Sequence, residues 1–173
     1  MVEGINVEKV TNWLVERIPG IKLPLSFTLI AGGHSNLTFR CEDDAGNAYV
    51  LRRPPLGHVL ESAHDMGREH KIIDALKGSD VPVPANHGLC KDNAVNGADF
   101  YVMEFIDGLV LNDSVIAATL PEASRIPIGE DVVDILCKLH AIDPDDVGLG
   151  DLGRKEDYLA RQLKRWTKQW EAA

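Results

Sequence analysis

The 173-residue sequence lacks any apolar run approaching the roughly 20 residues that carry a helix across a bilayer, so no membrane association is expected. The stretch from Met1 to Pro19 mixes charged and apolar side chains and lacks the continuous apolar centre of a signal peptide. Positive charge is short: 18 Lys and Arg stand against 27 Asp and Glu, a formal net charge of −9. Such a balance repels a phosphate backbone and argues against nucleic-acid binding. Cysteine is sparse as well. Cys41, Cys90 and Cys137 have no metal-ligand spacing, and an odd, scattered set suits a reducing compartment and a role as small apolar filler. A soluble cytoplasmic protein without repeats or low-complexity tracts is the expectation.

What is present has the composition of an ordinary globular chain, with 45% hydrophobic and 26% charged residues. Asn6 is placed to cap a first helix whose seam is Val7, Val10, Leu14 and Ile18, ended by Pro19-Gly20. Three short strands follow, from Leu25 to Ala31, Asn36 to Glu42 and Ala48 to Arg53, separated by the turns Gly32 to Ser35 and Asp43 to Asn47. A helix is expected from about Ala63 to Lys77, with Ser62 and Asp65 as an approximate capping box. A strand near His87 to Cys90, a polar loop from Lys91 to Ala98 and an apolar strand from Phe100 to Ile106 complete this part. Beyond Asp107-Gly108 the periodicity is helical, with one seam at Ile128, Val132, Ile135, Leu136 and Leu139 and another at Leu159, Leu163, Trp166 and Trp170. The shift from strands to helices divides the chain into 1–106 and 107–173.

Four features carry chemistry. Gly32-Gly33-His34-Ser35-Asn36, between two strands, offers backbone N–H groups and polar side chains to an anion, although such a turn also serves as a plain hairpin. On the third strand Val50 and Arg52 share one face while Leu51 and Arg53 take the other. The plainer view of the two arginines is a pair of solvent-facing cations. Glu69 lies in the apolar seam Met66, Glu69, Ile73, Leu76, where a carboxylate needs a cation, and Arg52 is the natural partner unless Glu69 reaches water at the seam's edge. The strand ending at Ile106 could present the Glu104 carbonyl and Ile106 N–H to an adenine edge, or be an ordinary core strand.

In this order the four features are the parts that hold ATP in protein-kinase-like folds. The segments Phe27 to Phe39, Val50 to Pro55, Gly67 to His70 and Tyr101 to Gly108 resemble the aminoglycoside phosphotransferase and choline kinase-like family, and specifically its branch associated with acyl-CoA dehydrogenases. The resemblance implies an α+β fold: a kinase-like N-terminal lobe with an antiparallel five-stranded sheet, then the first helices of an incomplete helical C-terminal lobe. It implies that Gly32, Gly33, His34, Ser35 and Asn36 cover the triphosphate and that Arg52 stands where most relatives have lysine. Glu69 would orient that cation, Ile30 and Val50 would pack on the base, Met103 would lie behind it, and Glu104 and Ile106 would supply edge contacts. ATP and magnesium are the implied cofactors, and a small-molecule hydroxyl is the implied acceptor. The family's His-Gly-Asp catalytic loop and later metal-binding Asp do not occur in the sequence, so no catalytic or metal-binding residue is assigned. The expectation is a chain truncated before that loop, which binds nucleotide weakly at best and does not catalyse. The alternative is a pseudokinase-like interaction module, and the helices carrying Trp166 and Trp170 would suit a second copy of the chain.

Overall fold

A computed structural model describes residues 2–31, 36–57 and 64–171. The glycine turn from Gly32 to Ser35 and the expected cap Ser62 lie outside the described residues. The element order is α1 (Val7–Val15), β1 (Ser26–Ala31), β2 (Leu37–Glu42), β3 (Ala48–Arg53), α2 (Met66–Ala75), β4 (Asn86–Cys90), α3 (Asn93–Asn96), β5 (Phe100–Glu104), α4 (Ser114–Ala118), α5 (Glu122–His140) and α6 (Tyr158–Glu171). The strands form one antiparallel sheet in the order β1-β2-β3-β5-β4. The expected kinase-like α+β architecture, a five-stranded sheet followed by helices, is therefore present. By compactness the chain forms two units, 1–141 and 142–173; the sequence division at Asp107 follows instead the change from strands to helices. Among the described residues no helix is long and apolar enough to cross a membrane.

Local chemistry explains the elements. Asn6 caps α1 by accepting from the Lys9 N–H at 3.2 Å, and its own N–H donates to Asn96 Oδ1 at 2.8 Å, joining the start of α1 to α3. α1 buries Val10, Trp13 and Leu14 against Phe27, Phe39, Leu51, Phe100 and Val102 on one face of the sheet. Trp13, three residues after Val10, takes a place on this seam that the sequence reading gave to Val7, which is 39% exposed. The Trp13 and Phe100 rings meet edge to face at 4.9 Å, and the Arg17 guanidinium lies 4.1 Å from the centre of the Trp13 ring. In the β2–β3 turn the Asp43 carboxylate accepts from Asn47 Nδ2 and from the N–H groups of Lys22, Ala45 and Asn47. These bonds, the Asn47 side chain first, hold its carboxyl below the usual carboxylate range.

Several boundaries differ from the sequence expectation. α2 starts at Met66, because Asp65 itself is the cap and accepts from the Arg68 N–H at 2.9 Å. The polar loop from Lys91 to Ala98 contains α3, capped by Asp92 and ended by Gly97 in the left-handed conformation; its four residues are too few for a periodic signal. β5 stops at Glu104 because Tyr49 opposite it gives the last ladder pair with β3. Cys41 and Cys90 are buried as filler, and burial pushes the Cys41 thiol up to about 12, but Cys137 is exposed on α5. The expected seam of α5 is only partly covered at Ile128 and Ile135, while Val132 and Leu136 are exposed.

At Gly88 the backbone of β4 approaches α1 closely. The residue has φ +138°, the β4–β5 register shifts between Asn86 and Gly88, and a Cβ there would stand 3.2 Å from Trp13 Cη2. Gly88→Ala is expected to cost about 1–3 kcal/mol through backbone strain and this contact. A chemical-denaturation midpoint equal to that of the parent chain would contradict it.

Candidate functional site

Register builds the site. Arg52 on β3 stands opposite Thr38 of β2 and Tyr101 of β5, so these side chains share one face of the sheet. Val50, two residues earlier, shares that face with its partners Arg40 and Met103. Leu51 and Arg53 go to the opposite face, where both are buried. α2 packs on β4 and β5 and brings Glu69 to the Arg52 face.

The Glu69 carboxylate is the hub. Its Oε1 accepts from Asn36 Nδ2 at 2.7 Å, and its Oε2 accepts from the Tyr101 hydroxyl at 3.1 Å. Arg52 Nε lies 3.4 Å from the same Oε2, an ion pair at a length where the Nε–H makes no well-formed hydrogen bond. The paired side chains are 31% and 30% exposed, so their attraction is screened and worth about 0–1 kcal/mol. Its main effect is therefore orientation. The pairing runs through Nε, and among the described residues the two Nη groups have no acceptor. Asn36 is itself buried, and its Oδ1 lies 2.7 Å from His64 Nδ1. Tyr101 is buried too; desolvation first, and then Glu69 against the opposing pull of Arg52, holds its hydroxyl far above the ordinary phenol range. It remains a donor at any ordinary pH.

Of the residues singled out from sequence, Asn36, Arg52 and Glu69 are brought into one network, with Val50 and Met103 paired beside it. Gly32, Gly33, His34 and Ser35 lie outside the described residues. Ile30 sits where the β1–β2 register shifts between Leu29 and Ala31, and it is half exposed. Glu104 closes the end of β5: its N–H donates to the Ala85 carbonyl at 2.8 Å, and its carboxylate accepts from the Ala85 N–H at 3.1 Å. Ile106 follows the end of the strand and is 61% exposed.

Three features escaped sequence reasoning. Tyr101 was seen only as part of an apolar strand, although its place two residues before Met103 puts both on one face. His64 precedes the cap of α2 and gives no periodic signal. Arg53 is not a solvent-facing cation: it is 7% exposed and donates to the carbonyls of Gly4 at 2.5 Å, Pro54 at 3.1 Å and Asn96 at 3.4 Å. These carbonyls replace its water, and burial lowers its proton affinity. Among the described residues no three His, Cys, Asp or Glu side chains converge as metal ligands. The arrangement is an oriented guanidinium on a sheet face, beside apolar side chains, suited to holding an anionic group.

Comparison with known proteins follows the same lines. The sequence profile of the phosphotransferase enzyme family (APH) matches residues 26–173. A crystal structure of a Ralstonia eutropha protein assigned as an aminoglycoside phosphotransferase superposes with a TM-score of 0.77 and 35% sequence identity, over 96% of this chain and 47% of that one. IBR3 of Arabidopsis thaliana, assigned as an acyl-CoA dehydrogenase, is 40% identical over 156 residues, covering 87% of this chain and 19% of its own length. The human acyl-CoA dehydrogenase family member 11 is 36% identical over 149 residues, with 86% of this chain and 19% of the relative covered. Mouse acyl-CoA dehydrogenase family member 10 is 35% identical over 150 residues, with coverage of 87% and 14%. The chain thus spans about a fifth or less of the length of these curated relatives.

Proposed function

Since this chain belongs to the phosphotransferase enzyme family, we propose that it forms the nucleotide-holding portion of a kinase that transfers the γ-phosphate of ATP to the hydroxyl of a small molecule. The observation that carries this reading is the meeting of Arg52, Glu69, Asn36 and Tyr101 on one sheet face, next to Val50 and Met103. An ATP phosphate matches the Nη donors of Arg52, which meet no acceptor among the described residues and are oriented by the Glu69 contact, and the base matches the apolar pair Val50 and Met103. Edge contacts to the base fall to the backbone of Glu104 and Ile106, and Ile30 borders the same end of the sheet. The glycine turn from Gly32 to Ser35 supplies the remaining phosphate donors in this reading. Magnesium would arrive bound to the phosphates, whose oxygens are its usual ligands in nucleotide sites. No residue of this chain is assigned to the transfer itself: the sequence has no His-Gly-Asp. Binding of the nucleotide is accordingly weak and catalysis is not expected.

Titration of the isotope-labelled chain with Mg·ATP, followed by amide NMR, tests the proposal. Saturable shifts are expected at Arg52, Glu69, Met103, Glu104 and Ile106, with α6 unaffected. Shifts confined to other surfaces, or none at millimolar nucleotide, would refute it for this chain. A second reading, a non-catalytic interaction module, draws on α6, where Leu159, Leu163, Trp166 and Trp170 are all at least 64% exposed along one helical stripe. Under that reading the same titration is silent, and a second copy of the chain is the first partner to examine.

A further inference from the structure

The bonds around Asn36 have only one consistent direction. A carboxylate can only accept, so the group that Asn36 turns to Glu69 Oε1 at 2.7 Å must be its Nδ2. Its Oδ1 then faces His64 Nδ1 at 2.7 Å, and because Oδ1 can only accept, that ring nitrogen must carry a proton. Neutral His64 is thereby held in the Nδ1–H form, the tautomer that a free imidazole side chain disfavours in water. If the donor at Nδ1 is removed, Glu69 still selects the Nδ2 end of the amide, but Asn36 loses the donor that anchors its Oδ1. The Asn36 side chain is then held by the Glu69 bond alone and is freer to depart from the geometry that places its Nδ2 on Oε1. Glu69 would keep the Tyr101 hydroxyl and the Arg52 contact on Oε2, while the bond that fixes Oε1 would loosen.

We propose that His64 is a positioning residue for the nucleotide site: by donating to Asn36 it sets the Glu69 carboxylate, and through it the orientation of Arg52. The role deepens the nucleotide reading given above and rests on it. His64 does not touch the nucleotide. Its place immediately before the Asp65 cap links the start of α2 to the start of β2, two segments far apart in sequence. A protonated His64 would still donate from Nδ1, so the brace depends on the tautomer and not on the ring's charge.

The test uses the full chain in two arms. Without nucleotide, long-range proton–nitrogen NMR at a pH where His64 is neutral should find the proton on Nδ1. In His64→Ala, the Asn36 side-chain amide should exchange with solvent at least about fivefold faster, the scale of one lost hydrogen bond. With Mg·ATP, His64→Ala should bind about fivefold more weakly. His64→Asn should restore both properties, because its amide nitrogen is as many bonds from the backbone as Nδ1. An Nε2–H tautomer, or unchanged Asn36 exchange in His64→Ala, overturns the brace. Faster exchange with wild-type affinity for Mg·ATP overturns the positioning role. A brace that behaves as expected in a parent chain that binds no Mg·ATP rejects the nucleotide reading while leaving the orientation of Glu69 by His64 supported.

Discussion

Arg52→Ala is expected to weaken Mg·ATP binding by roughly ten- to a hundredfold, the equivalent of about 1.5–3 kcal/mol for charge-assisted hydrogen bonds to a phosphate. The loss arises from the Nη donors, which the Glu69 contact through Nε does not use and which meet no acceptor among the described residues. The fold should barely notice. The ion pair is about one-third exposed on each side, and Glu69 retains donors in Asn36 and Tyr101. Arg52→Lys should fall between the two proteins: it keeps the charge but loses the planar fork and the Nε contact. Calorimetric titration of the three proteins reads all of this directly. Equal affinities for parent and Arg52→Ala would remove Arg52 from the site, whereas a large fall in melting temperature would show that its role is structural.

The second large effect belongs to the other face of the sheet. Phe100→Ala is expected to cost about 3–5 kcal/mol, because the ring is fully buried and leaves a void that its neighbours cannot close. It also removes the edge-to-face partner of Trp13, at 4.9 Å, through which α1 is packed onto β5. Against a total stability of about 5–15 kcal/mol, such a loss leaves little in reserve. Trp170→Ala, at a position 85% exposed, is the matched control and should change stability by less than about 0.5 kcal/mol. Urea unfolding followed by circular dichroism compares them; similar midpoints for both variants would mean that the core around Trp13 does not hold the fold.

The sheet was legible because its cues are local. Alternation and turn residues placed β3 at its observed limits and β2 within one residue, and Asn6 was readable as a cap before its bond to Lys9 was seen. The Arg52–Glu69 pair was legible for a different reason: a carboxylate in an apolar seam has few ways to be satisfied. What stayed hidden depends on relations between distant segments. Tyr101 reaches Glu69 only because β5 pairs with β3 in a particular register, and His64 matters only because α2 starts beside β2. Arg53 was misplaced because residue type argues for solvent, while three carbonyls from separate segments receive its guanidinium. In α5 and α6 the period revealed apolar stripes but carried no information about what covers them.

The unequal surroundings of the three tryptophans have an optical consequence. Trp13, at 7% exposure under the Arg17 guanidinium, should emit at short wavelength and resist a neutral collisional quencher such as acrylamide. Trp166 and Trp170, at 64% and 85%, should emit at long wavelength and be quenched almost freely. The native chain thus carries two separable fluorophore classes, one reporting the integrity of the core beneath the sheet and the other reporting whether anything has come to rest on α6.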